Sequence, residues 1–89
     1  MVNLREYFKS DRSLGGHWVD VSTNYYTGYA LVFPKESKER GIDGGQIVKL
    51  WVRKRGTATM VINYDRGWKM TPQDKYSKKF LDTIVKKYN

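Results

Sequence analysis

The chain has no cysteine, and its 89 residues include only two prolines and one histidine. Without cysteine, neither a disulfide nor a cysteine-based zinc site can reinforce the fold. Any acid–base chemistry that needs a histidine has to use His17. The longest apolar run, residues 29–33, is far shorter than the roughly 20 residues of a transmembrane helix. We therefore expect no association with a membrane.

Residues 1–12 also lack the apolar stretch and small-residue cleavage site of a signal peptide. Together with the missing cysteine, this favours a cytoplasmic protein. The length predicts one small domain with a modest core, and an aromatic content of 15% argues against a disordered chain. A domain of this size is stable by only a few kcal/mol, at about 0.05–0.15 kcal/mol per residue.

Acidic residues are scarce in the second half of the chain. Residues 1–44 carry six Lys/Arg and six Asp/Glu, whereas residues 45–89 carry eleven Lys/Arg and three Asp. The second half therefore holds the entire net charge of +8. This asymmetry indicates a polyanionic partner, because a basic field attracts phosphates and releases counterions on contact.

The apolar pattern predicts an α+β fold. Leu4, Tyr7 and Phe8 have helical spacing, which predicts a short helix over residues 2–8. Four later segments alternate in polarity or are rich in β-branched and aromatic residues. We predict that they form two hairpins of a four-stranded, mainly antiparallel sheet: residues 17–22, 25 or 26–33, 46–53 and 57–64.

The C-terminal segment shows the clearest helical pattern. Thr71 is the predicted N-cap, Pro72 the first helical residue, and Asp74 suits the positive end of the helix dipole. Apolar side chains then recur about every four residues and form one stripe, which we expect to pack on one sheet face. The stripe contains Tyr76, Phe80, Leu81, Ile84, Val85 and Tyr88.

Cations and tryptophans alternate in the second predicted hairpin. Lys49, Trp51 and Arg53 should point the same way, because side chains alternate along a strand. Cations bind phosphates, and an exposed tryptophan stacks on a base with roughly 1–3 kcal/mol. We predict a nucleic-acid interface here and in the following turn, with these candidates: Lys49, Trp51, Arg53, Lys54, Arg55, Arg66, Trp68 and Lys69. In the alternative interpretation, Trp51 covers an apolar rim and its charged neighbours keep that face soluble.

The predicted C-terminal helix contains no glutamate, and Asp82 is its one acidic residue after Asp74. The ion pairs that usually accompany a lysine-rich face are therefore largely missing. Phosphate contact would relieve the repulsion between neighbouring lysines, and solubility is the alternative reason for them. The helix lysines in the predicted interface are Lys75, Lys78, Lys79, Lys86 and Lys87.

Three functional hypotheses follow from these patterns. The preferred one is a small, non-catalytic protein that binds RNA or single-stranded nucleic acid, largely independently of sequence because nothing indicates base-edge readout. The second is an inhibitor or accessory protein that binds another protein, such as a nuclease or toxin, either directly or with RNA as a bridge; the aromatic content suits such an interface. The third is a small ribonuclease that uses His17.

The sequence predicts neither a metal site nor a cofactor. Asp20, Asp43 and Asp65 lie in different predicted segments, and no glycine pattern matches a phosphate-binding loop. A sheet this small has exposed edges, so pairing of two copies into a homodimer is a further expectation.

Overall fold

The computed structural model describes residues 16–89, which form a five-stranded antiparallel sheet and one α-helix. The strands lie side by side in chain order: β1 (His17–Asp20), β2 (Tyr26–Val32), β3 (Ile47–Lys54), β4 (Met60–Asp65) and β5 (Trp68–Met70). A short 3-10 turn, Ile42–Gly44, precedes β3, and helix α1 (Lys75–Tyr88) follows β5. The α+β class is therefore confirmed, and the helix predicted over residues 2–8 lies outside the described residues.

The sheet has one strand more than the four predicted. A tight turn follows β4, in which Arg66 has a φ of 58° and the amide of Asp65 donates to the carbonyl of Gly67 at 2.9 Å. The chain then returns along β4 as β5, which has only three residues. Three residues are too few to show an alternating pattern, so the sequence gives no strand signal there.

The alternation of side chains gives the sheet two different faces. Ala30, Leu50 and Tyr64 lie side by side on β2, β3 and β4, and all three are buried in the core beneath α1. Ile84 is the α1 residue most deeply buried in this core. The opposite face, which we call the outer face, carries Trp51 and its neighbours on the adjacent strands.

Helix α1 begins later than predicted. Asp74 is its N-cap, and the Asp74 carboxylate accepts a hydrogen bond from the backbone N–H of Ser77 at 2.8 Å. The prediction that Thr71 caps the helix is therefore wrong. Thr71 instead accepts hydrogen bonds from the side-chain amide of Gln73 through its carbonyl and its hydroxyl, both at 3.0 Å. Aspartate is a stronger N-cap than threonine, and the Asp74 carboxylate is three residues before the amide that it accepts from.

The predicted apolar stripe of the helix is confirmed from Phe80 onward. Phe80 stacks on Tyr26 of β2, with ring centroids 4.9 Å apart, and Ile84 is buried. Tyr76 does not join the core, because 72% of it is exposed. The buried side of α1 contains Ser77 and Ile84, which are 0% and 3% exposed, and Tyr76 projects about 100° away from Ser77 around the helix axis.

The C-terminal end of α1 is anchored at the start of β3. The side-chain oxygen of Asn89 accepts hydrogen bonds from the amides of Gln46 at 3.0 Å and Ile47 at 3.2 Å. Its side-chain nitrogen donates to the carbonyl of Ile42 at 2.9 Å. This close contact requires glycine at position 45, since a Cβ there would lie 2.2 Å from the Asn89 side chain.

Candidate nucleic-acid interface

Three segments meet at one end of the sheet, which we call the hairpin end: the β1–β2 connection (residues 21–25), the β3–β4 loop (residues 55–59) and the first turn of α1. The backbone N–H of Arg55 donates to the carbonyl of Tyr25 at 2.9 Å, and its side-chain Nε donates to the carbonyl of Thr23 at 2.9 Å. These two hydrogen bonds join the first two segments. They hold the loop and the connection in one arrangement, although 32 residues separate Thr23 from Arg55.

The residues between the third and fourth predicted strands, 54–56, include Gly56 and predict a tight turn, and the observed β3–β4 loop is longer. It spans residues 55–59, and the amide of Lys54 donates to the carbonyl of Thr59 at 2.9 Å to close it. Gly56 has a φ of 77°, a conformation that L-residues rarely adopt. The prediction of a hairpin at this position is therefore confirmed, with its turn extended by residues 57–59.

Six of the predicted phosphate-binding residues lie at or next to the hairpin end, and all six are exposed. They are Arg53, Lys54, Arg55, Lys75, Lys78 and Lys79. The carboxylates near them include Asp82, one helical turn after Lys78, and Asp20 and Asp74. Asp20 and Asp74 each accept a local backbone hydrogen bond, from Ser22 at 2.7 Å and from Ser77 at 2.8 Å. Hydrogen bonding by Ser22 and Ser77 lowers the pKa of Asp20 and Asp74. Because six cations outnumber these carboxylates, the hairpin end has an excess of positive charge.

Three other predicted surface cations lie at the opposite end of the sheet. The amide of Arg66 donates to the carbonyl of Val48 at 3.0 Å, which places the β4–β5 turn beside the start of β3. A strand of this length spans about 23 Å, so the turn is far from Lys54. Arg66 and Lys69 therefore form a second group, together with Lys86 in the last turn of α1. Lys87 belongs to neither group, because it lines a separate pocket with Asp20, Val21 and Ser22 next to the end of β1.

Trp51 and Trp68 do not form one stacking platform, because they lie on opposite faces of the sheet. Trp68 packs edge-on against Tyr64 on the α1 side, with centroids 5.1 Å apart, and 41% of it is exposed. Trp51 is on the outer face and half-buried. Its ring lies parallel to that of Tyr29 at 6.4 Å, and the guanidinium of Arg53 sits 5.6 Å from its centroid. Trp51 thus resembles the covered apolar rim of the alternative interpretation.

Lys49 shares the outer face with Trp51 and Arg53, as alternation predicts, but only 7% of it is exposed. Its neighbours across the sheet are Leu31 and Asp65, and its ammonium nitrogen lies 3.9 Å from a carboxylate oxygen of Asp65. A buried, paired lysine cannot reach a phosphate on an extended ligand. We therefore leave Lys49 out of the interface.

The structure adds a feature that the sequence did not indicate, a groove of about 630 Å³ at the hairpin end. We call it the tyrosine groove; its lining residues are Tyr25, Tyr26, Lys54, Arg55, Thr57 and Tyr76. Tyr25 is 78% exposed and Tyr76 72% exposed, whereas Tyr26 is half-buried under Phe80. The sequence pattern gave both exposed tyrosines structural roles, Tyr25 at a strand start and Tyr76 on the core stripe.

The candidate catalytic residue lies elsewhere. His17 is exposed at the start of β1, paired with Val32 at the end of β2, so it is at the opposite end of the sheet from the groove. Among residues 16–89, no three His, Cys, Asp or Glu side chains are grouped closely enough to hold a metal ion. Within the same range, no helix has the length and apolar character needed to cross a bilayer.

Residues 17–89 match the family model of a domain of unknown function, DUF7678, and the chain belongs to this family. The match covers all five strands and the helix. No curated protein and no solved structure is significantly similar to the chain. The function therefore has to be inferred from the hairpin end itself.

Proposed function

We propose that this protein is a small, cytoplasmic, non-catalytic module that binds RNA or single-stranded nucleic acid through its hairpin end. One observation carries the proposal: exposed cations and exposed aromatic rings lie together there, on three segments that are distant in the sequence. Cations supply affinity for phosphates, and aromatic rings supply a surface on which bases stack. The combination is typical of proteins that bind single strands without reading their sequence.

The proposed contact set is narrower than the sequence pattern alone indicates. The phosphate-binding residues are the six exposed cations of the hairpin end, defined above. The cations of the opposite end contribute only to the long-range field, since the sheet separates them from the groove. The proposal includes no catalytic step, because His17 is also at that opposite end.

The test is a titration of a labelled, unstructured single strand, followed by fluorescence anisotropy at several salt concentrations. If about six cations contact phosphates, affinity should fall on the order of 10³-fold between about 50 and 200 mM salt. Absence of binding at the lower salt concentration, or an affinity independent of salt, would rule out the proposal.

A second candidate function is supported by the other end of the molecule. Trp68 and Met70 are exposed, 41% and 43%, on the edge strand β5. Exposed tryptophan and methionine on the edge strand of the described sheet are typical of a protein interface, so this edge is suited to dock an accessory partner or a second copy. A stable complex that survives high salt and is lost in Trp68→Ala would favour this function over nucleic-acid binding.

A further inference from the structure

The side chains of Tyr25 and Tyr76 have no role in the core. Large aromatic side chains usually bury most of their surface, but more than two-thirds of each of these is exposed. A single exposed aromatic residue needs no explanation, whereas two that line one groove define a surface with an apolar character of its own. The floor of this groove is apolar as well, since the ring of Tyr26 stacks there on Phe80.

The backbone holds both exposed tyrosines in place. The carbonyl of Tyr25 accepts from the Arg55 amide at 2.9 Å, and the Tyr25 amide is 3.2 Å from the hydroxyl of Thr23. Tyr76 lies in the first turn of α1, which the Asp74 cap closes. Because the chain is already ordered at both positions, a ligand that enters the groove has to immobilise only side chains.

The cations of the groove are placed for an anion beside the rings. Lys54 and Arg55 both line it and both are exposed. A guanidinium has five N–H donors, and the Nε–H of Arg55 is directed to the carbonyl of Thr23. This hydrogen bond orients the group and leaves the terminal nitrogens as the fork that binds phosphate oxygens in pairs.

A flat apolar surface next to a cation pair fits one ligand class well, a nucleotide unit with its base unstacked and its phosphate exposed. The groove volume of about 630 Å³ is within the range of small-molecule sites. Every base has a π-face, so tyrosines accept any of them, but the bases of a duplex already stack on one another.

We propose that the tyrosine groove holds one unpaired base between Tyr25 and Tyr76. Lys54 and Arg55 then bind the adjacent phosphate. This arrangement makes the protein prefer single strands to duplexes. The inference specifies how the ligand of the function proposed above is bound, and it rests on that function.

The experiment compares two labelled probes that carry the same phosphates, an oligothymidylate of about twelve nucleotides and an abasic oligomer of equal length. Anisotropy titrations at about 50 mM salt give the affinity of each. One stacked base should make the wild-type protein bind the thymidylate roughly 5- to 150-fold more tightly. The double variant Tyr25→Ala, Tyr76→Ala should lose this preference and keep the affinity for the abasic oligomer.

Two matched variants show that the effect belongs to the groove. Tyr25→Phe with Tyr76→Phe keeps the rings and should keep the preference. Trp68→Ala removes an exposed aromatic residue at the opposite end and should change neither affinity, once circular dichroism shows that the variant is folded. The Tyr25→Ala, Tyr76→Ala variant should bind a duplex of the same length as tightly as the wild-type protein does, because the bases of a duplex are already stacked.

The possible failures are distinguishable. If neither oligomer binds, the proposed function is overturned and this inference with it. If the wild-type protein binds both equally well, or if the tyrosine variants keep the preference, the inference alone is overturned. Equal binding of the two oligomers by the wild-type protein is expected if the groove instead holds an aromatic side chain of a partner protein.

Discussion

The rings of Tyr26 and Phe80 are nearly parallel, with 13° between their planes and 4.9 Å between their centroids. This stack joins the start of β2 to the second turn of α1. Tyr26 also lines the tyrosine groove, so the same contact that docks the helix forms the floor of the candidate site. Burial of its ring raises the pKa of the Tyr26 phenol, as does the Asp74 charge to a smaller degree.

The first prediction tests this docking. Phe80→Ala should lower the free energy of unfolding by about 2–3 kcal/mol, slightly below the range for a fully buried phenylalanine because Phe80 is half-buried. Tyr76→Ala, on the same helix, should leave it nearly unchanged because Tyr76 is exposed. Urea unfolding followed by circular dichroism measures both. Equal losses in the two variants would contradict the placement of α1.

The second prediction concerns the anchor at the other end of α1. Asn89→Ala removes three hydrogen bonds, to Ile42, Gln46 and Ile47, and should lower the free energy of unfolding by roughly 1–3 kcal/mol. Gly45→Ala places a Cβ against the same side chain and should also destabilise the wild-type protein. In the Asn89→Ala background the Gly45→Ala change should be better tolerated. Strictly additive effects in this double-mutant cycle would show that the two residues do not interact.

The third prediction follows from the lowered pKa of Asp74, whose main cause is the hydrogen bond from the Ser77 amide. A carboxylate with a lower pKa in the folded state stabilises the protein above its unfolded pKa, and this contribution is lost as the pH falls through the folded value. Asp74→Ala should therefore lower the midpoint of thermal unfolding at pH 7, and the difference from wild type should shrink below the ordinary pKa of 3.8.

Asp74→Asn is the matched control, because its amide oxygen still accepts from Ser77 but does not titrate. The midpoint of thermal unfolding of Asp74→Asn should be close to that of wild type. Any pH dependence of the remaining difference should come only from the missing negative charge. If Asp74→Ala were as stable as wild type at pH 7, the cap would have no energetic role.

The fourth prediction separates the two ends of the sheet. Lys54→Gln with Lys75→Gln removes two charges at the hairpin end, and Lys69→Gln with Lys86→Gln removes two at the opposite end. All four lysines are exposed and the net charge falls equally. The slope of log affinity against log salt should drop by about two for the first pair and hardly change for the second. Equal changes of the slope in the two variants would indicate that the overall positive charge binds the strand, and that the hairpin end is not a specific site.

Much of the sheet is predictable from the sequence because β2, β3 and β4 each bury one face. Burial of one face requires apolar and polar side chains to alternate along the strand, and this alternation is visible in the sequence. Each of the strands β1 to β4 lies within a few residues of its prediction, whereas β5 was not predicted. The hairpin loop is predictable too, since Gly56 supplies the positive φ that the turn requires. The class of the fold follows from these local signals.

The site is less predictable because it depends on contacts between distant segments. Lys49 looks like a surface cation until the register places it between Leu31 and Asp65. Tyr76 has the spacing of a core residue, but the buried side of the first helical turn is that of Ser77, and Tyr76 lies outside it. The groove itself forms only when positions 25, 55 and 76 are brought together, and no local pattern encodes that proximity.

The strand order of the sheet has a consequence for how the chain folds. Each strand pairs only with its neighbours in the sequence, so the sheet can form by successive closures of short loops, each of which costs little chain entropy. Helix α1 is the exception, since Asn89 has to find Ile42 across 47 residues. We expect the meander to assemble rapidly and the helix to dock last. Until it docks, the apolar face of the sheet stays open to water, and the groove does not yet exist.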